Sequence, residues 1–180
     1  MIKNEQNFLK YFTAFIACFL LRLIPFRPPN IEPLLAVQMP FSNVFGYFST
    51  FFFGFMSIVV YDSVTSGIGM WTFITAIAYG FLGIWAMFFF KNRAPKALNY
   101  AYFAVMGTLA YDAVTGLTIG PLFFNQSFMN ALIGQIPFSA MHLIGNITMA
   151  LTISPLIHKY ITQNTYLEQK TFNKLFNKIA

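Results

Sequence analysis

From Met70 to Phe90 the chain reads MWTFITAIAYGFLGIWAMFFF, and none of these 21 residues carries a charged side chain. As an α-helix this stretch is about 31 Å long, which matches the hydrocarbon core of a bilayer, about 30 Å thick. Similar apolar stretches lie at 44–62, 97–113 and 138–158. Together they predict an all-α membrane protein that crosses the bilayer several times.

The composition excludes an ordinary soluble domain. The chain is 57% hydrophobic, 19% aromatic and 9% charged, with a mean hydropathy of +0.62, whereas soluble domains carry about 25% charged residues. The net charge of +6 does not indicate nucleic-acid binding, because the basic residues lie between the apolar stretches and at the termini. The single cysteine, Cys18, excludes a disulfide framework or a Cys-based metal site within the chain.

The first apolar run is interpreted as a transmembrane helix rather than a signal peptide. Arg22 interrupts it, and no small-residue cleavage site follows. Breaker residues then divide the chain, with a Gly-rich loop before Pro121 and a short separate segment before Pro137. The predicted helices lie at about 8–26, 31–42, 43–61, 70–90, 97–113 and 138–158.

These six helices define the domain organisation and the orientation. Residues 1–160 would form a single six-helix transmembrane domain, and 161–180 a basic cytoplasmic tail. If 31–42 crosses the membrane, both termini lie on one side, together with all of the eleven basic residues except Arg22 and Arg27. Because Lys and Arg are retained in the cytoplasm, we expect both termini to be cytoplasmic. Without that crossing, the basic cluster at 91–96 would lie on the opposite side.

A short sequence motif occurs twice, 50 residues apart. The two copies read Tyr61-Asp62-Ser63-Val64-Thr65-Ser66-Gly67 and Tyr111-Asp112-Ala113-Val114-Thr115-Gly116, and they contain the only aspartates in the chain. A carboxylate at the edge of an apolar helix is costly, so two in matching contexts on the outer side indicate a shared polar pocket. The alternative is that each aspartate caps a loop or accepts backbone hydrogen bonds at a helix end.

The last helix carries a polar stripe formed by Gln135, Ser139, His142 and Asn146, spaced i, i+4, i+7, i+11. Lipid cannot satisfy these groups, so the stripe must face the bundle interior or a wet cavity. Two readings stay open. His142 and Asn146 either hold a solute or form interhelical hydrogen bonds, which contribute about 0.6 kcal/mol each on average.

Other candidate residues come from the outer ends of the helices. Arg22 either snorkels to the headgroups or pairs with Glu32, an aspartate or an anionic solute. Trp71, Thr75 and Tyr79 either line a pocket or belong to an interfacial aromatic belt. The predicted solute-binding residues are Tyr61, Asp62, Tyr111, Asp112, Thr115, His142, Asn146, Arg22 and Glu32.

Three stretches resemble the substrate-binding (S) components of energy-coupling factor (ECF) transporters, and the resemblance covers roughly residues 8 to 160. These stretches are Arg27-Pro28-Pro29-Asn30-Ile31-Glu32-Pro33, Tyr111-Asp112-Ala113-Val114-Thr115-Gly116 and Ala131-Leu132-Ile133-Gly134-Gln135-Ile136-Pro137-Phe138. The resemblance implies a multi-pass protein of a prokaryotic plasma membrane. It would capture a vitamin or a similar micronutrient on the outer side.

The resemblance also implies partners. Uptake would need a membrane coupling protein and two cytoplasmic ATPases that bind ATP, because this chain has no Gly-rich phosphate loop. S components dock through small residues of their first helix, and here Ala14 and Cys18 approximate that pattern. We expect no cofactor, metal or catalytic activity in the chain itself. The solute would bind between the 62–70 and 112–126 loops, which would close over it.

Two other function classes are compatible with the sequence. A non-transporting membrane scaffold would use small residues, such as Ala76, Gly80 and Gly83, as a packing face. An intramembrane aspartyl protease would use two aspartates on neighbouring helices that share a proton. The second aspartate of such proteases lies in a Gly-x-Gly-Asp pattern, which 107–112 lacks.

Overall fold

The computed structural model describes residues 8–24, 31–42 and 44–168, and this described part is helical without strands. The predicted all-α class is therefore confirmed. The last helix continues into a π-helical turn, His158–Thr162, and a 3-10 turn follows at Thr165–Leu167. The helices are α1 (Phe8–Arg22), α2 (Pro33–Phe41), α3 (Tyr47–Val64), α4 (Met70–Phe90), α5 (Ala97–Phe123) and α6 (Phe128–Ile157).

Four of these helices are long and apolar enough to cross a membrane. They are α3, α4, α5 and α6 together with its π-helical turn. Their outer surfaces are covered with exposed Phe, Leu, Ile and Met side chains, which is the surface that a bilayer requires. The described part of α1 has 15 residues and α2 has nine, so neither alone has the length of a full span.

Contacts between helices fix the direction of each one. Lys10, near the start of α1, donates to the backbone oxygen of Thr162 at 2.9 Å, so the described parts nearest the two chain termini lie at one end of the bundle. At the other end, Arg22 donates to the backbone oxygen of Ser57 at 2.9 Å. Near the Lys10 end, the Tyr11 ring packs against Phe45, just before α3, at 5.0 Å between centres, so α1 runs parallel to α3. Ring contacts between Phe90 and Tyr100 show that α4 and α5 are antiparallel.

Helix α2 lies in the middle of the bundle. All nine of its residues are buried, which is the pattern of a helix covered by protein on every side. It spans only about 13 Å. The helix begins after Glu32, which lies beside Arg22. It ends at Phe41, whose ring stacks on Phe45 with 5.2 Å between ring centres. Helix α2 is thus a short inner helix that reverses the chain direction between α1 and α3.

One polar side chain of α2 connects the helices around it. Gln38 Nε2 donates to the backbone oxygen of Tyr79 at 3.1 Å and to that of Thr50 at 3.3 Å. The glycines of α3 and α4 make room for it, since a Cβ at Gly54 would lie 2.6 Å from the Tyr79 oxygen and 2.7 Å from Gln38 Nε2. The small-residue face of α4 is therefore used inside the chain.

Three predicted helix boundaries were wrong. Helix α1 ends at Arg22 rather than Phe26, α5 continues past Ala113 to Phe123, and α6 passes through Pro137 without a separate segment. Inside a bundle, proline and glycine are tolerated in helices because each removes little hydrogen bonding and neighbouring groups compensate. At Gly116 the end of the Gln135 side chain occupies the space beside the glycine, so a Cβ there would require Gln135 to move.

The tight contact at Gly54 predicts a specific sensitivity to added volume. Gly54→Ala should lower the unfolding free energy by about 1–3 kcal/mol, because the added methyl meets backbone that cannot move aside cheaply. Gly134→Ala is the matched control, since a Cβ there has no atom within 4 Å and alanine favours the helix by up to about 1 kcal/mol. Thermal unfolding in detergent measures both, and equal effects would contradict the close crossing.

Candidate solute-binding site

A polar cavity of about 310 Å³ opens near the end of the bundle that is opposite Lys10. It reaches from the turn after α3 along the first three turns of α4. Charged, hydroxyl and aromatic side chains from five helices and from Glu32, just before α2, form its walls. The lining residues are Arg22, Glu32, Ile58, Asp62, Ser66, Trp71, Thr75, Tyr79, Tyr111, Phe138 and His142.

Arg22 forms one side of this cavity and contacts three groups of the protein, although its buried Nε makes no regular hydrogen bond among the described residues. Its Nε lies 3.2 Å from Glu32 Oε2, and its Nη1 donates to Ser57. The guanidinium carbon lies 3.9 Å from the centre of the Tyr61 ring, a cation–π contact. The predicted pairing with Glu32 is confirmed, and snorkelling to the headgroups is excluded because Arg22 is only 6% exposed.

Asp62 is held at the turn between α3 and α4. Its Oδ2 accepts a hydrogen bond of 2.7 Å from Thr72 Oγ1, which in turn accepts one from the Gly69 N–H. The Asp62 backbone oxygen accepts from the N–H of Gly67, which has a φ of +82° and closes the turn. The side chain is thus fixed at the cavity wall by a short loop rather than by a long mobile one.

Asp112 lies in the middle of α5 and pairs with α6. Its Oδ1 lies 2.7 Å from His142 Nδ1, and both side chains are almost completely buried. One helical turn closer to the end of the bundle that holds Lys10, Asn146 Nδ2 donates to Thr108 Oγ1 at 2.8 Å. The expectation that Asp112 lies at a helix end was wrong. Of the polar stripe of α6, His142 and Asn146 form interhelical hydrogen bonds with α5, whereas Gln135 donates to Ser139 of its own helix.

Some buried polar atoms of this region have hydrogen-bonding capacity left over. Within the described residues, no hydrogen-bond partner is found for Asp112 Oδ2, His142 Nε2 or Asn146 Oδ1. Each such atom costs roughly 1–3 kcal/mol if nothing else satisfies it. Of these three residues His142 lines the cavity, so water or a solute bound there would satisfy its Nε2.

An aromatic wall closes the cavity toward α4 and α5. Trp71, Thr75 and Tyr79 follow i, i+4, i+8 spacing along α4 and all line the cavity, as one of the two sequence readings predicted. The Tyr79 and Tyr111 ring centres are 4.5 Å apart. The His142 ring lies edge-on to Tyr111 at 5.8 Å between centres, so the imidazole is fixed by rings as well as by Asp112.

The structure brings five of the nine predicted residues to the cavity wall: Arg22, Glu32, Asp62, Tyr111 and His142. The other four lie behind it. Tyr61 supports Arg22, Asp112 supports His142, Asn146 bonds Thr108, and Thr115 Oγ1 bonds the Tyr111 backbone oxygen of its own helix. Thr72 was not predicted, although a threonine three residues after a glycine turn is a recognisable helix-start signal.

Two expectations about loops and partner surfaces do not fit the described structure. Residues 112–123 are helical, so the predicted 112–126 loop is reduced to the short connection before α6. Ala14 and Cys18 are both 0% exposed and lie inside the bundle, so in this conformation they offer no docking surface. The outward face of α1 carries Phe8, Phe12, Ile16 and Leu20 instead.

Comparison with known proteins does not assign the chain. No protein family, curated protein or solved structure matches it. Among the described residues, no group of three or more His, Cys, Asp or Glu side chains comes together in a way that could hold a metal ion. The function must therefore be argued from the cavity itself.

The Asp112–His142 pair predicts a strong and coupled effect on stability. His142→Ala should cost about 3–5 kcal/mol of unfolding free energy, because it leaves a carboxylate buried without its partner. Adding Asp112→Asn should recover part of this loss, since a neutral amide is cheaper to bury. Denaturation of the single and double variants in detergent measures this coupling.

His158→Ala is the matched control for this experiment. His158 is the other histidine of the chain, and neither of its ring nitrogens has a hydrogen-bond partner among the described residues. Its removal should cost only packing. If His142→Ala cost no more than His158→Ala, the buried pair would not hold α5 and α6 together.

Proposed function

We propose that this chain is the membrane-embedded solute-binding subunit of an ECF-type importer, which captures a vitamin or a similar micronutrient. The observation that carries the proposal is the cavity of about 310 Å³, into which an otherwise apolar bundle directs Arg22, Glu32, Asp62 and His142. Ligand pockets have volumes of about 300–1,000 Å³. Polar groups inside a membrane bundle are costly and mark binding or transport sites.

The charge distribution supports an outward-facing cavity. Lys91, Arg93 and Lys96 connect α4 to α5 at the end of the bundle that also holds Lys10. Under the positive-inside rule this end faces the cytoplasm, and the cavity then faces the exterior of a prokaryotic cell. In this proposal the chain crosses the membrane six times, with α2 as a short inner crossing.

Energy for uptake would come from partner subunits. In the proposal, a membrane coupling protein and two cytoplasmic ATPases associate with the chain, and ATP is bound on those partners. The exposed apolar face of α1 is a more suitable contact surface for the coupling protein than Ala14 and Cys18, because those two residues are buried. Release inside would follow reorientation of the bundle against the coupling protein.

The cavity argues against the two other classes considered. A proteolytic pair of aspartates shares one proton between close carboxylates, whereas Asp62 is bonded to Thr72 and Asp112 to His142. A scaffold has no need for charged side chains around an internal space, since each raises the cost of burial. A solute-binding role gives these groups a use.

Filling the cavity tests the proposal. Thr75→Trp places a large ring on the cavity wall and should abolish solute binding, whereas Thr152→Trp should not, because Thr152 lies on the exposed face of α6. The two sites are matched, since each threonine hydroxyl bonds the backbone oxygen four residues earlier. The readout is thermal stabilisation by a panel of water-soluble vitamins. A solute at 100 times its Kd adds about 2.7 kcal/mol.

The expected result is stabilisation of the wild-type protein and of Thr152→Trp by the same compound, with no response from Thr75→Trp. A compound that stabilises all three proteins equally would bind elsewhere. If no compound stabilises the wild-type protein, the solute-binding proposal fails and the scaffold class becomes the better account.

A further inference from the structure

The ion pairs of the described residues do not include every carboxylate that lines the cavity. Among the described residues the ion pairs are Lys10–Glu168 and Arg22–Glu32, and the Asp112 carboxylate lies within hydrogen-bond distance of His142. Arg22 is the only Lys or Arg among the described residues that line the cavity. Its guanidinium is already committed to Glu32, to the Ser57 backbone and to the Tyr61 ring, which leaves it little capacity to neutralise a second carboxylate.

Asp62 is the carboxylate that remains. It lines the cavity, is 9% exposed, and takes part in none of these ion pairs. Its bonding partner is the neutral hydroxyl of Thr72, which satisfies hydrogen-bonding capacity without neutralising charge. An ionised carboxylate in such a place is costly unless a positive charge is brought to it.

The Asp112–His142 pair does not offset the charge of Asp62. If His142 is neutral and its proton is on Nδ1, which faces Asp112, then Nε2 is an acceptor. The pair then has one negative charge. If His142 is protonated, the pair is neutral. In neither case does the pair supply a net positive charge to the cavity.

Aromatic rings complete the site. Trp71, Tyr79 and Tyr111 line the cavity together with Asp62, and their faces attract cations held within about 6 Å of the ring centre. An anionic solute would meet this negative wall with no free basic side chain among the described lining residues. The combination of an unneutralised carboxylate with three aromatic rings is suited to a positively charged nitrogen group.

We infer that the solute is an organic cation whose charged nitrogen is held by Asp62 and by the rings of Trp71, Tyr79 and Tyr111. This inference rests on the proposed solute-binding function and specifies the chemical class of the solute. Arg22 then acts as a structural cation that holds Glu32, rather than as an anion receptor.

The test compares matched probes on the purified full-length chain in lipid nanodiscs. The cationic probes are choline, thiamine and agmatine, and the anionic probes are nicotinate, pantothenate and biotin. The uncharged probes are alcohols that keep the carbon skeleton of a cationic probe but lack its charged nitrogen. Binding is measured calorimetrically for the wild-type protein, Asp62→Asn and Glu168→Gln. Glu168→Gln is the control for net charge, because Glu168 pairs with Lys10 at the other end of the bundle.

The inference expects a cation to bind the wild-type protein and Glu168→Gln alike, and to bind Asp62→Asn at least roughly tenfold more weakly. The corresponding alcohol should not bind. If Asp62→Asn fails to fold, the wild-type comparison of amine with alcohol decides alone.

Two other results would overturn the inference in distinguishable ways. Binding of an anion or an uncharged compound, unchanged in Asp62→Asn, would contradict the cationic class and leave the solute-binding function standing. Failure of every probe to bind would contradict both.

Discussion

A carboxylate inside a membrane bundle needs a partner from the protein, and this constraint organises the half of the molecule that contains the cavity. Asp112 satisfies it with His142, and the same register places Asn146 opposite Thr108. These bonds align α5 with α6 and fix the imidazole at the cavity wall. In lipid the alternative would be unsatisfied polar groups, so the two helices have one favourable pairing.

The short helix α2 explains why a cavity exists at all. It is buried on all sides and fills the bundle centre from Pro33 toward the end that holds Lys10. Its own Gln38 is tied to the backbones of α3 and α4, so its position is fixed. Beyond its first residue, in the described structure, the space between the longer helices is lined by polar as well as apolar side chains.

Length and hydropathy were enough to predict most of the fold. Met70–Phe90 was predicted with both of its ends, because a charge-free run between a glycine turn and a basic turn has few alternatives. The ends of α5 and the continuity of α6 were missed because glycine and proline are breakers in water but are tolerated between packed helices. Local sequence cannot report that Gln135 would occupy the space beside Gly116.

The sequence predicted which residues belong to the candidate site better than it predicted which of them pair. Rare charged and polar residues in an apolar sequence identified Asp62, Asp112, His142 and Arg22, because each is costly there. Which partner each would take depends on helix directions and on the buried course of α2. The repeated Tyr-Asp motif suggested equivalent roles for the two aspartates. In the structure, Asp62 lines the cavity from the last turn of α3, whereas Asp112 supports His142 from the middle of α5.

Native mass spectrometry of the chain, released directly from its own membrane in a mild detergent, tests the central claim most directly. The account predicts one small molecule bound per chain, released as a cation on activation in the gas phase. A spectrum with the bare chain alone, obtained under conditions in which a known membrane protein keeps its ligand, would contradict the claim that the cavity is a solute-binding site.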